Sequence, residues 1–332
     1  MNIEGHRMQF PRRRFLHLAA GAAALPAAAR LARADAYPSR PVRIIVGFAA
    51  GGAPDILARL IGQWLSDHMG QPFIIENRPG GSSNVATEDV VKATPDGHML
   101  LLASLANAVN ATLYEKLNYN FLRDIAPVAG ISRDPNVLVV VPSFPAKTIA
   151  EFVAYAKANP GKINMASPGV GTSPHMAGEL FKSMTGIEMT HVAYRASPPA
   201  LTDLLGGQVQ VYFAPIAASI AYIKDGRLRA LGVTTAKRSE ALPDVPAIGE
   251  IVPGYEASAF YGIGAPANTP PGIIAALNKE IEAGLADPTL KQRLADLGSV
   301  PFPGSAADFG KMVASDTEKW GKLIVAANIK PD

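Results

Sequence analysis

Two segments of this chain repeat one device, and a chain that carries it twice is constrained toward an α/β fold. Val42–Asp55 opens with a β-rich run (Val42, Ile44, Ile45, Val46), passes through Gly51-Gly52-Ala53-Pro54-Asp55 and enters a helical pattern. Ile163–His175 does the same: a short strand pattern from Ile163 to Ser167, then Gly169, Gly171, Thr172, Ser173 and Pro174, then a helix. Glycine supplies the positive φ that a tight strand-to-helix turn needs, and proline suits the first helical turn. Such a loop bares backbone N–H groups at the positive end of a helix, which suits an anion. Two copies about 120 residues apart suggest two lobes gripping one acidic ligand.

The rest of the chain fits that frame. Strand patterns at Val42–Phe48, Phe73–Glu76 and Met99–Ala103 alternate with helical patterns at Pro54–Met69 and Asn84–Ala93. No element is assigned between Ala103 and Asn136. A second block alternates strands at Val137–Val141, Ile163–Ser167, Met189–Val192, Val209–Phe213 and Ala230–Thr234 with helices at Thr148–Ala158, Pro174–Met184, Pro198–Gly206 and Ile216–Asp225. A strand at Ser258–Ala265 follows, then helices from Pro270, Pro288 and Ala306. The β-α-β order implies mainly parallel sheets flanked by helices. The tail holds no further strand block, so it is expected to clasp the first lobe, with crossings near Ser132–Pro135 and Gly254–Phe260. Lobe 1 is therefore expected at 35–134 plus 259–332 and lobe 2 at 135–258, with the ligand cleft between them.

Net charge needs correcting for the first 34 residues. The chain's +3 includes six basic residues there (Arg7, Arg12, Arg13, Arg14, Arg30, Arg33) against Glu4; without them 25 basic and 27 acidic residues remain, a balance of −2. A nucleic-acid surface is not indicated. Arg12-Arg13-Arg14-Phe15-Leu16, the soft apolar stretch Leu16–Ala29 and Ala32-Arg33-Ala34 read as a twin-arginine export signal with cleavage near Ala34. The stretch is short for a membrane anchor, and no later segment approaches the roughly 20 apolar residues of a span. A soluble periplasmic protein is expected. With no cysteine, disulfides, thiolate metal sites, a cysteine nucleophile and a lipidated N-terminal cysteine are excluded.

The candidate site residues each have an ordinary structural reading beside the functional one. Gly51 and Gly52 serve a tight turn as well as a ligand; the loop matches neither the dinucleotide fingerprint nor a phosphate-binding P-loop. Asp55 reads as a first-turn acid that meets helix N–H groups. Phe48 faces the cleft or sits in the core. In the second loop Thr172 and Ser173 add hydroxyls, with Ser173 expected as the N-cap. His175 and Glu179 share a helix face, but no third ligand suggests a metal. Tyr194 lines the cleft in one reading. Arg195 pairs with a carboxylate or makes a surface salt bridge. Ser104 and Asn107 follow a strand's carboxyl end, where ligands of open α/β sheets sit, or simply cap a helix. There is no Gly-x-Ser-x-Gly elbow and no His-Glu-x-x-His.

These segments, together with Tyr37–Val46, Glu76-Asn77-Arg78-Pro79-Gly80, Pro95-Asp96-Gly97, Glu179-Leu180-Phe181, Leu242-Pro243-Asp244-Val245-Pro246 and Ala265-Pro266, resemble the Bug family, the extracytoplasmic solute-binding proteins of tripartite tricarboxylate transporters. The resemblance spans essentially the whole chain after the leader. It implies a two-lobed fold of the type II periplasmic-binding-protein kind, closing on a small organic acid held by backbone amides. It implies no cofactor, no metal and no catalysis, and delivery to a membrane permease of one large and one small subunit; a monomer is expected. Carried onto this chain, it puts Phe48, Ala50, Gly51, Gly52, Ala53 and Asp55 at the site with Ser167, Gly169, Gly171, Thr172, Ser173 and His175, and Ser104, Tyr194 and Ala196 beside them. Three positions depart from the family's habit: Ser82-Ser83 after Gly81, Ala196 where glycine is usual, and Ala53-Pro54 without a hydroxyl. Delivery to a sensor kinase and a secreted α/β enzyme are the alternative functions.

Overall fold

The computed structural model describes residues 37–331. The chain divides into two units, with the boundary between Ser39 and Arg40. Residues 37–39 of the first are irregular, and the leader expected over residues 1–34 lies outside the described residues. The second unit holds two five-stranded sheets. The first contains β1 (Val42–Val46), β2 (Phe73–Asn77), β3 (Met99–Ser104), β4 (Ile125–Asp134) and β10 (Ala259–Pro266), in the order β2-β1-β3-β10-β4. The second contains β5 (Asn136–Val140), β6 (Asn164–Ser167), β7 (Thr190–Ala193), β8 (Val211–Pro215) and β9 (Arg229–Val233), in the order β7-β6-β8-β5-β9.

The two orders are the same pattern. In each sheet four strands share one direction, and the strand fourth in spatial order runs against them: β10 in the first sheet, β5 in the second. Both reversed strands are those by which the chain arrives from the other lobe. The parallel strands end toward the other lobe, so a segment arriving from there starts at that end and runs backward. Both are buried along their whole length, as their continuous apolar runs require.

The helices form where apolar spacing and end signals agree. Helix α1 (Ala53–Met69) buries Leu57, Ala58, Ile61 and Leu65 and ends at Gly70 in the left-handed region. Helix α2 (Asn84–Val91) follows a single 3₁₀ turn at Gly81–Ser83. The segment left unassigned after Ala103 holds α3 (Leu105–Leu113), the turn α4 (Phe121–Asp124) and the ten-residue β4. Its signals were obscured: Asn107 and Asn110 are buried polar residues in α3, and Pro127 and Gly130 interrupt β4. In the second lobe α5 (Ile149–Ala158), α6 (Ser173–Thr185), α7 (Ser197–Leu205) and α8 (Ile216–Lys224) alternate with the strands.

The C-terminal helices α9 (Pro271–Ala286), α10 (Pro288–Asp296) and α11 (Ala306–Ala326) follow β10, and α11 packs on α3 and β4 around the buried Trp320. Helix α11 also ties the two crossings together. Arg133, at the end of β4, donates to Asp316 at 3.2 and 3.3 Å. Lys319 donates to the Glu256 carbonyl at 3.0 Å and pairs with its carboxylate.

Asp134 ends β4 at the first crossing and is buried without a cation. It accepts from Ser132 Oγ at 3.2 Å, Ser299 Oγ at 3.0 Å and the Val300 N–H at 3.1 Å. Burial pushes its carboxyl up to about 7, and those three bonds only limit the rise. In the unfolded chain an Asp ionises near 3.9. Between those values the folded chain binds the extra proton, so stability falls as pH rises from about 4 to 7 and levels above. We expect Asp134→Asn to remove a slope of up to about 1.4 kcal/mol per pH unit, leaving the variant the more stable at pH 8. Urea unfolding at pH 5, 6, 7 and 8 tests this; parallel wild-type and variant curves would contradict it.

Candidate functional site

The two glycine loops are locked by the same bond. In the first, Gly51 has φ 82 and its N–H donates to Asp55 Oδ2 at 3.0 Å. In the second, Gly171 has φ 78 and its N–H donates to His175 Nδ1 at 3.1 Å. In each case the acceptor is four residues on, the third residue of the helix, with proline just before it. The left-handed glycine turns its amide back onto the helix; in the second loop the next amide, of Thr172, donates to the Gly169 carbonyl at 3.4 Å. The N-cap of α6 is Thr172; Ser173, expected there, is the first helical residue.

Each acceptor is held from behind. Asp55 also receives Arg59 Nε at 3.1 Å and Asn77 Nδ2 at 3.0 Å, and Asn77 bonds the Phe48 carbonyl at 3.0 Å. Burial raises the Asp55 carboxyl, but the bonds from Arg59, Gly51 and Asn77 outweigh it and hold it below the usual range. His175 accepts at Nδ1, so its proton sits on Nε2, which faces Glu179 at 3.6 Å. Its ring stacks on His191 at 3.9 Å. Burial, then the charge His175 carries when protonated, lowers His191 to about 3, so His191 is neutral. Lys182 bonds both Glu179 oxygens, at 2.9 and 3.0 Å. Burial works against ionisation of Glu179, yet its partners bring it down to about 2. The His175–Glu179 pair is thus engaged in holding the loop. Among the described residues no cluster of three or more His, Cys, Asp or Glu is arranged for a metal.

Between the loops lies a narrow cavity of ≈ 30 Å³. Five helices begin at its wall. Their N-caps are Gly52 of α1, Ser104 of α3, Thr172 of α6, Ala196 of α7 and Pro215 of α8, and all five line the cavity. Each N-terminus carries roughly half a positive charge. Among the described residues no Lys, Arg, His, Asp or Glu lines the cavity, so its field comes from the backbone. The amides of Ala53 and Ser173, in the first turns of α1 and α6, donate to no protein acceptor among the described residues. Ser173 Oγ accepts from Asn136 Nδ2 at 2.5 Å, and Ser197 Oγ from the Tyr212 hydroxyl at 3.1 Å. Phe48, Leu105, Phe260 and the prolines at 54, 168 and 174 make the remaining wall apolar.

Of the expected site residues, Phe48, Gly52, Ser104, Thr172, Ser173 and Ala196 line this cavity. Gly51, Asp55, Gly171 and His175 stand behind it as the loop locks. Ser167 and Gly169 brace the second loop through Ser167 Oγ and the Gly169 N–H at 3.1 Å. Ala50 is exposed at the loop tip, Ala53 is buried in the first helical turn, and Tyr194 donates to Asp203 at 2.7 Å, away from the lining. Leu105, Ser197, Pro215 and the start of β10 (Ala259, Phe260, Tyr261) were not anticipated. A usable signal existed for Pro215: like Ser104, it stands where a strand pattern gives way directly to a helical one.

Residues 57–329 match the family model described as tripartite tricarboxylate transporter family receptor. The UPF0065 protein of the tcbD-tcbE intergenic region of Pseudomonas sp. strain P51 is 37% identical over 298 residues, covering 89% of each chain. Protein BugT of Bordetella pertussis is 33% identical over 294 residues, covering 88% of this chain and 90% of its own. Among solved structures, an R. palustris protein with adipate superposes with a TM-score of 0.86 at 37% identity, covering 89% of this chain and 100% of that one. MatC from Rhodopseudomonas palustris with bound malate gives 0.82 at 30% identity, covering 87% and 100%.

The lock on the first loop has a measurable pH signature. A carboxyl depressed by its partners stabilises the fold above its unfolded pKa near 3.9, and that contribution disappears as pH falls through the lower folded value. Asp55→Asn is expected to cost about 1–2 kcal/mol at pH 7, with the gap to wild type closing toward pH 3. Chemical denaturation at the two pH values measures it; an equal gap at both would rule out the ionic part of the lock.

Proposed function

The chain belongs to the tripartite tricarboxylate transporter receptor family, and on that premise we propose that it is a periplasmic solute-binding protein that captures a small organic acid as its carboxylate. The observation that carries this reading is the convergence of five helix N-termini on one cavity without a basic side chain. An ionised carboxylate accepts several N–H bonds and gains from every dipole aimed at it. The adipate and malate bound by similar proteins fit the same chemistry.

In this reading lobe 1 comprises 35–134 and 259–332 and lobe 2 comprises 135–258. The loops Phe48–Asp55 and Ser167–His175, through the amides not engaged within them, such as those of Ala53 and Ser173, hold the ligand with Ser104 and Ala196. Binding favours a closed arrangement of the lobes, which a membrane permease of one large and one small subunit recognises. The leader at residues 1–34 supports export by the twin-arginine route. The protein performs no chemistry on the acid.

The apolar wall favours a ligand with a hydrocarbon body, and the lack of an acidic lining residue disfavours an ammonium beside the carboxylate. Thermal unfolding against straight-chain mono- and dicarboxylates, their 2-amino derivatives and length-matched diols tests the reading. A fitting acid at 100 times its Kd adds about 2.7 kcal/mol. Its 2-amino derivative is expected to bind at least about tenfold more weakly, a difference of about 1.4 kcal/mol, and the diol is expected to have no effect. Stabilisation by a neutral sugar, with none by any acid, would sink the proposal.

A further inference from the structure

The turn between β2 and α2 is strained in a way that its sequence did not have to accept. Ser82 and Ser83 both sit in the left-handed region, with φ 49 and 78. There the Cβ of an L-residue crowds the following carbonyl, and glycine holds the same turn without that contact. Each serine hydroxyl has a definite task. Ser83 Oγ, fully buried, accepts from Asn107 Nδ2 at 3.2 Å within the first lobe. Ser82 Oγ reaches the other lobe and donates to the Val170 carbonyl at 2.5 Å, inside the second glycine loop. A carbonyl can only accept, so the direction of this bond is fixed.

The turn is braced for that reach. The Ser82 carbonyl accepts from Asn110 Nδ2 at 2.8 Å, which fastens it to α3. The same helix meets the second loop directly. A Cβ on Gly171 would stand 2.7 Å from Leu113 Cδ2, 3.2 Å from Val109 Cγ1 and 3.3 Å from Asn110 Oδ1, an oxygen buried without a hydrogen-bond partner. Helix α3 begins at the cavity wall, and Thr172 and Ser173 of that wall directly follow Gly171. The seam therefore runs along one side of the cavity. Neither Ser82 nor Val170 belongs to the chain crossings at 134–136 and 256–259. Their bond joins the lobes where no covalent connection does, and a rotation about the crossings breaks it.

We propose that Ser82 is a closure latch: a positioning residue whose bond to Val170 holds the lobes in the arrangement that turns both sets of helix N-termini on one ligand. The inference rests on the lobe closure of the proposed function. Because a ligand's apparent affinity scales with the closed fraction, loss of the latch lowers affinity for any ligand, although residue 82 lies outside the cavity lining.

The absence of cysteine allows a clean test on the full chain. Labels on cysteines introduced at the exposed positions Ile74 and Met184 report lobe separation by single-molecule energy transfer. The probe ligand is adipate, titrated into wild type, Ser82→Ala and Ser82→Gly. Both variants are expected to raise the open-to-closed ratio without ligand by about 3- to 10-fold, the effect of one hydrogen bond. Their thermal stabilities should split, because only the change to glycine relieves the strain, with Ser82→Gly the more stable. A purely structural role gives the same stability split with an unchanged ratio, and that result overturns the latch alone. One fixed separation in all three proteins, with and without adipate, overturns lobe closure and the latch with it. If adipate shifts nothing but the ratio still responds to residue 82, the latch stands and the choice of acid is at fault.

Discussion

In both glycine loops a left-handed glycine turns its amide onto a side chain four residues ahead, and the rest of the cavity is arranged around the result. The bond closes the loop against the first turn of its helix. The amides of Ala53 and Ser173 are then left without a protein acceptor among the described residues. Asp55 and His175 are chemically unlike, one a carboxylate among Arg59 and Asn77 and the other an imidazole backed by Glu179 and His191. They serve the same geometry because a single lone pair at that place is all the glycine amide needs. The repeated unit is thus a repeat of backbone shape, supported by different side chains.

The sheets make that shape useful. The parallel strands present their carboxyl ends, and the helices that follow them start, at one surface. Reversing one strand per sheet brings the chain across without disturbing that direction. The crossings are narrow, and their stiffness comes from outside them. Helix α11 grips Arg133 through Asp316 and the Glu256 segment through Lys319, while Asp134 is held by one hydroxyl and one amide, of Ser299 and Val300, from the residues before that helix. The C-terminal helix therefore bears on both crossings.

Much of this was legible in the sequence, and the gaps have physical causes. Alternating strand and helix patterns and the two glycine loops could be read because they rest on local periodicity and on φ > 0. Helix α3 escaped because its inward face carries asparagines, whose burial makes sense only beside Ser83, Thr87 and Asn84 from distant sequence. Strand β4 escaped because Pro127 and Gly130 look like turn residues unless β10 and the tail are known to cover them. In the site, the locked loops announced themselves. Pro215 and the start of β10 did not, since their place at the cavity follows from strand order, which no window of sequence contains.

A charge made of peptide dipoles has no proton to lose. Five helix ends supply the cavity's positive field, and no Lys, Arg, His, Asp or Glu lines it among the described residues. The contribution of the helix ends is therefore the same in acid and in base for as long as the fold stands. A guest acid adds its own pH dependence, at the pH where its carboxyl gains a proton. Exchange of one uncharged lining side chain for another alters the room inside and leaves the contribution of the helix ends in place. Such a receptor can diversify in the shapes it admits while its preference for anions stays constant.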